Sequence, residues 1–230
     1  MTGISIPENI AKLTHRIRLA TEFNRRDATS VTLLAVSKTQ AAGAIRSAAA
    51  AGITNLGENY LQEALDKMSA LTDLPLCWHF IGPIQSNKTR AIAEHFDWVH
   101  SVDRLKIARR LSEQRPAEMP PLQICLQVNI SGESSKSGVL PEALAPLAAE
   151  VNELPALRLR GLMTIPAAST DTVAQRQAFA QLRQCLEALQ TTLPELDTLS
   201  MGMSADLESA IAEGSTIVRV GTGVFGPRGG

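Results

Sequence analysis

VTLLAVSKTQ, residues 31–40, runs seven mostly apolar, β-favouring residues into a lysine. A strand apolar on both faces is a buried parallel strand. In open and closed α/β folds such strands bind ligands at their C-terminal ends, and Lys38 stands at that end. Thr39 then reads as a helix N-cap, and QAAGAIRSAAAAG as an alanine-rich helix stopped by Gly52. Lys38 is therefore predicted on a strand-to-helix turn. Most lysines lay the stem on apolar surface and keep the ammonium in water. Among the six lysines, however, no other ends a strongly apolar strand. The sharper reading is a partly dry pocket, a lowered pKa and a nucleophilic amine that forms a Schiff base with an aldehyde.

Outward from this stretch the same unit repeats. Upstream, Ser5-Ile6-Pro7-Glu8 has the capping-box pattern and opens a helix with the apolar stripe Ile10, Leu13, Ile17 and Ala20. Downstream come strands at 53–57, 76–82 and 97–103, each followed by a helical run, with Asp103 as the cap of the helix RLKIARRLSEQR. The fifth strand is Leu122–Ile130. Pro146 inside the next helix predicts either a kink or a start later than Pro141. Strand six is Leu157–Ile165, a long helix spans Gln175–Gln190, LDTLSMG is strand seven, a short helix runs Ala205–Glu213 and TIVRVGT is strand eight. Eight strands alternating with helices, without linker or low-complexity tract, predict one closed (β/α)8 TIM barrel over residues 1–230 with an extra N-terminal helix. An open doubly wound sheet is the alternative. Lys38, Asn59, His79, Ser101, Asn129, Thr164, Ser204, Arg219 and Gly221 all fall near C-terminal strand ends, which a barrel gathers at one mouth.

Composition narrows the function. The 230 residues carry 22 basic and 23 acidic side chains, net −1, which favours neither nucleic acid nor a membrane surface as partner. No run approaches the roughly 20 apolar residues that span a bilayer, and MTGISIPENIAKL lacks a signal pattern, so a cytoplasmic protein is expected. Cys77, Cys125 and Cys185, odd in number and far apart, read as small buried hydrophobes. No His, Cys and carboxylate cluster has metal spacing, and no nucleophile elbow occurs.

The second signal lies at the end of the chain. Arg219 interrupts the β-branched run Thr216–Val220, and a buried arginine needs an acceptor. A structural ion pair with a neighbouring carboxylate is one reading. Gly221-Thr222-Gly223-Val224-Phe225-Gly226 matches GxGxxG, but with no helix, second strand and acidic residue after it the dinucleotide reading fails. A glycine-rich turn after strand eight is instead where barrels bind phosphate. Ser204, read as an N-cap, gives a second phosphate-suited turn. Asn59 and His79 are weaker candidates, since a histidine within CWHFIG is more often a core residue. Phosphate plus an aldehyde on Lys38 points to pyridoxal 5'-phosphate (PLP).

Over nearly its whole length the chain resembles the pyridoxal phosphate homeostasis protein family. The matching segments are LLAVSKT (33–39), LGENYLQEA (56–64), WHFIGPIQSNK (78–88), SVDR (101–104), VNISGESSKSG (128–138), RGLMTIP (160–166), LSMGMSADLESAI (199–211) and VRVGTGVFG (218–226). The resemblance implies a barrel like the N-terminal domain of alanine racemase, with PLP held covalently on Lys38. It further implies Arg219 at the pyridine nitrogen, Ser204, Gly221 and Thr222 at the phosphate, and a role for Lys136 in cofactor transfer. The tail, Pro227-Arg228-Gly229-Gly230, departs from the arginine and aromatic segment of many relatives.

Arginine has donors and no acceptor, so Arg219 pairs only with an unprotonated ring nitrogen, a poor electron sink. The expectation is a non-catalytic monomer that binds, buffers and hands on PLP, with apo-enzymes among its partners. The alternative is a PLP-dependent amino-acid racemase. Alanine racemase has the same arginine but takes its opposing base from a tyrosine on a second domain, whereas the single tyrosine here is Tyr60, on the helix after strand two.

Overall fold

The computed structural model describes residues 5–133 and 136–226. Eight strands follow one another around a closed, wholly parallel barrel, β1 (Thr32–Val36), β2 (Asn55–Glu58), β3 (Cys77–Phe80), β4 (Trp98–Val102), β5 (Leu122–Gln127), β6 (Leu157–Met163), β7 (Thr198–Ser200) and β8 (Ile217–Val220). Closure is made by β8 on β1, with Thr32 opposite Ile217 and Leu34 opposite Arg219. The alternative of an open sheet is thereby excluded.

The helices on the outer face are α1 (Ile6–Phe23), α2 (Ala42–Ala50), α3 (Leu61–Ala70), α4 (Thr89–His95), α5 (Leu105–Gln114), α6 (Pro141–Asn152), α7 (Thr172–Gln190), α8 (Leu207–Ala212) and α9 (Thr222–Phe225). Helix α1 carries the expected capping box between Ser5 and Glu8 and buries Ile10, Leu13, Ile17 and Ala20. It lies against α8, α9 and α2, behind the closure of the barrel. No helix among the described residues is long and apolar enough to cross a membrane.

Several expected boundaries shift. Strand β5 stops at Gln127 because Val139 folds back, its N–H donating to the Gln127 carbonyl and its carbonyl accepting from Asn129. Three expected N-caps are not caps. Thr39 is followed by two more loop residues before α2, whose cap position is Ala41. Arg104 occupies the cap position of α5 without a side-chain cap bond, and Asp103 forms an ion pair with that arginine instead. Asp206, not Ser204, precedes α8, and its carboxylate accepts from the Met203 N–H. Helix α6 starts at Pro141 and runs through Pro146, which forfeits one N–H while Leu144, Ala148 and Val151 stay buried on the barrel. The glycine-rich turn itself winds into a one-turn helix, α9, between Gly221 and Gly226. All three cysteines are free, but only Cys125 is fully buried. The tail at 227–230 lies outside the described residues.

Candidate functional site

Lys38 lies two residues beyond β1, half-buried, where the chain leaves the barrel. It lines a cavity of about 310 Å³ together with Asn59, Ser204, Arg219, Gly221 and Thr222, and with the apolar side chains of Val36, Ile81, Ile165, Met203 and Ala205. This volume lies at the low end of small-molecule sites. Six of the seven expected cofactor residues thus meet in one place; the apolar walls were not foreseen. Of the other polar strand-end residues, Ser101 donates to the Gly82 carbonyl and Asn129 ties down the loop carbonyls of Glu133 and Lys136.

His79 is the exception. It sits inside the barrel, 2% exposed, and does not line the cavity. Its place is explained by a chain of hydrogen bonds whose direction can be read from one end. Arg219 has only donors. Its Nη1 donates to the Ser200 carbonyl (2.6 Å) and to Ser200 Oγ (2.8 Å), and its Nη2 to the Thr164 carbonyl (2.8 Å). Ser200 Oγ, which accepts there, also bonds His100 Nδ1 at 2.7 Å. Asn55 Oδ1 only accepts, so a neutral His79 donates to it from Nε2 (3.0 Å) and accepts on Nδ1 from His100 Nε2 (2.9 Å), which leaves His100 Nδ1 to accept from the Ser200 hydroxyl. Strands β4 and β7 are not neighbours, so the bond between His100 and Ser200 crosses the barrel interior. Burial pushes His79 down to about 3 and His100 well below its ordinary value, so both rings are neutral.

Arg219 has no carboxylate partner among the described residues, which removes the ion-pair reading. Burial lowers its pKa to about 10, with Asp206 opposing, so it remains a cation at neutral pH. Three of its five N–H donors are committed inward, leaving Nε and one proton of Nη2 on a cavity wall.

Other groups around the cavity also lack partners. Asn59 Oδ1 is buried without a hydrogen bond. The N–H groups of Ser204 and Ala205 after β7, and of Thr222 and Gly223 after β8, find no acceptor among the described residues. A Cβ at Gly223 would stand 2.7 Å from Val220 Cγ1, so glycine spares the turn after β8 a clash with its own strand; the same Cβ would lie 3.4 Å from Ser204 Oγ on the turn after β7. An amine, an unpaired cation and two donor-rich turns fit an anionic aldehyde of PLP's size. Lys136, paired with Glu133 at 3.0 Å, lines an adjoining cavity of about 260 Å³ that shares Asn59, Ile81 and Ile165 with the first. Tyr60, 57% exposed, lines a third cavity and not that of Lys38.

Residues 9–229 match the family model described as alanine racemase, N-terminal domain. A pyridoxal phosphate homeostasis protein of Pseudomonas aeruginosa is 64% identical over 224 residues, covering 97% of this chain and 96% of that one. PipY of Synechococcus elongatus, solved with PLP bound, is 41% identical with a TM-score of 0.84, covering 96% of this chain and 100% of that one. Alanine racemase of Clostridium difficile shares the fold, with a TM-score of 0.73 at 13% identity, over 94% of this chain and 57% of its own.

Proposed function

The chain belongs to the pyridoxal phosphate homeostasis protein family, and from that premise we propose that it binds PLP covalently through Lys38, buffers it and hands it on without transforming a substrate. The observation that carries this is the meeting, in one cavity, of the Lys38 amine, the unpaired Arg219 cation and the free N–H groups after β7 and β8. When bound, PLP supplies an aldehyde for reversible capture and a ring able to withdraw electrons. The two turns hold the phosphate, and Arg219 presents donors to the ring nitrogen. Donors alone keep that nitrogen unprotonated, which weakens the ring as an electron sink.

Besides Lys38, the described residues of the cavity wall include no carboxylate, histidine, cysteine or tyrosine that would serve as a base. That composition favours carriage over racemisation. To Lys136, which lines the adjoining cavity, we assign receipt of the aldehyde on its way to an apo-enzyme, and we take the carrier to be cytoplasmic, monomeric and single-domain.

Addition of PLP is expected to raise a visible absorption band in the wild type and none in Lys38→Ala. Incubation with alanine, aspartate or lysine in deuterated water is expected to leave the α-proton in place. Fast exchange that disappears in Lys38→Ala would establish an enzyme instead. A wild type that stays colourless in excess PLP would remove the covalent reading.

A further inference from the structure

The two peptides that flank Lys38 are both anchored, and by the same cluster. The Ser37 N–H donates to the Gly57 carbonyl (2.9 Å), and the Ser37 carbonyl accepts from Gln40 N (3.0 Å) and from Lys67 Nζ (2.6 Å). Ser37 Oγ donates to Glu58 Oε1 at 2.6 Å. On the other side of Lys38, the Thr39 N–H donates to Glu63 Oε1. Thr39 has φ of +64°, the left-handed region that a β-branched residue seldom occupies without outside support.

Lys67 joins these anchors. Its ammonium donates to Ser37 O, Glu58 Oε1 (2.7 Å) and Glu63 Oε1 (2.6 Å), so all three protons are used. The Lys67 side chain is 7% exposed and that of Glu58 fully buried, while Glu58 Oε2 has no partner. A buried ion pair is a weak device for stability, because apolar side chains of the same volume often serve as well. None of these side chains lines the cavity. What the cluster does fix is the backbone on either side of the one lysine that lines it.

We propose that Glu58, Glu63 and Lys67 are positioning residues for Lys38. They tie helix α3 to the loop after β1 and hold the Ser37–Thr39 backbone in the conformation that aims the amine into the cavity. This inference rests on the PLP reading above. In the step it assists, the Lys38 nitrogen adds its lone pair to the aldehyde carbon and the carbonyl oxygen leaves as water with both amine protons. C=O becomes C=N, with no oxidant or reductant. Release is the reverse addition of water. Lys67, with every proton committed, does not compete for the aldehyde.

The test compares two ligands on three variants. PLP binds through both phosphate and aldehyde, whereas pyridoxine 5'-phosphate has an alcohol in place of the aldehyde and binds without a covalent link. In Glu63→Ala, affinity for PLP is expected to fall about tenfold while affinity for pyridoxine 5'-phosphate holds. Glu63→Gln keeps an acceptor for the Thr39 N–H and should restore most of the loss. Lys67→Met should behave as Glu63→Ala; should it fail to fold, Glu63→Ala decides alone, its side chain being 29% exposed. Equal loss of both ligands in Glu63→Ala, or loss of neither, would overturn the proposal. A wild type that binds both ligands with the same affinity and no colour would overturn the covalent reading beneath it.

Discussion

Arg219 is held from below by a chain of polar side chains, and the weak point of that chain is Ser200. Its hydroxyl is the only group that both accepts from the arginine and donates to His100. Ser200→Ala leaves His100 Nδ1 buried without a donor, which costs about 1–3 kcal/mol. In a protein of this size each kcal/mol moves Tm by roughly 2–4 °C. A fall of several degrees in thermal unfolding is expected, and an unchanged Tm would show that the chain carries no energy. At this scale the sequence disclosed the two ends of the site and not its middle. Lys38 and Arg219 each break an apolar strand, and that is visible in one dimension. His100 and Ser200, polar residues on separate strands, acquire meaning only when the barrel closes and sets them face to face. Thr39 carried no mark of its left-handed backbone, because the cause lies on α3, 24 residues away.

Among the elements, α1 stands outside the eightfold repeat yet supports the site. Asn9 Nδ2 donates to the Val224 carbonyl (3.0 Å), Arg16 donates to the Ser204 carbonyl (3.3 Å), and Leu13 packs against Gly223. Both turns assigned to the phosphate therefore rest on this helix. Leu13, 3% exposed, is its central contact. Leu13→Ala is expected to cost about 2–5 kcal/mol, seen as a lower urea midpoint, and to weaken PLP binding as well. Full stability in that variant would mean that α1 is an appendage. The helix itself was legible from its capping box and stripe. Strand lengths and caps were not, because loops at the mouth of the barrel bend to make tertiary hydrogen bonds before the next helix starts. Thr39, Asp103 and Ser204 all have the side chains of N-caps, and in each case the helix begins two or three residues later.

For the whole molecule, closing a barrel around two neutral histidines makes stability depend on pH. Burial lowers the pKa of both rings below the ordinary 6.5, so the unfolded chain binds protons more tightly than the barrel does. Their contribution is complete above about pH 6.5 and falls as the pH drops, by about 1.4 kcal/mol per pH unit for each ring. For His79 this continues until the pH nears about 3. Tm is expected to decline from pH 7 to pH 5, and a level profile would contradict the buried neutral pair. The closed barrel was legible from the alternation of eight strands with helices, since only the strand count and the gathering of polar ends were needed. Its interior wiring was not, because the pairs across it are separated by up to 100 residues. One lysine at the mouth, Lys38, is proposed to carry the cofactor. The most direct test is to load the protein with PLP, reduce with borohydride and map the modified peptide by mass. The added group is expected chiefly on the peptide that contains Lys38 and not on that of Lys67; a main site elsewhere, or no modification, would overturn the assignment of Lys38.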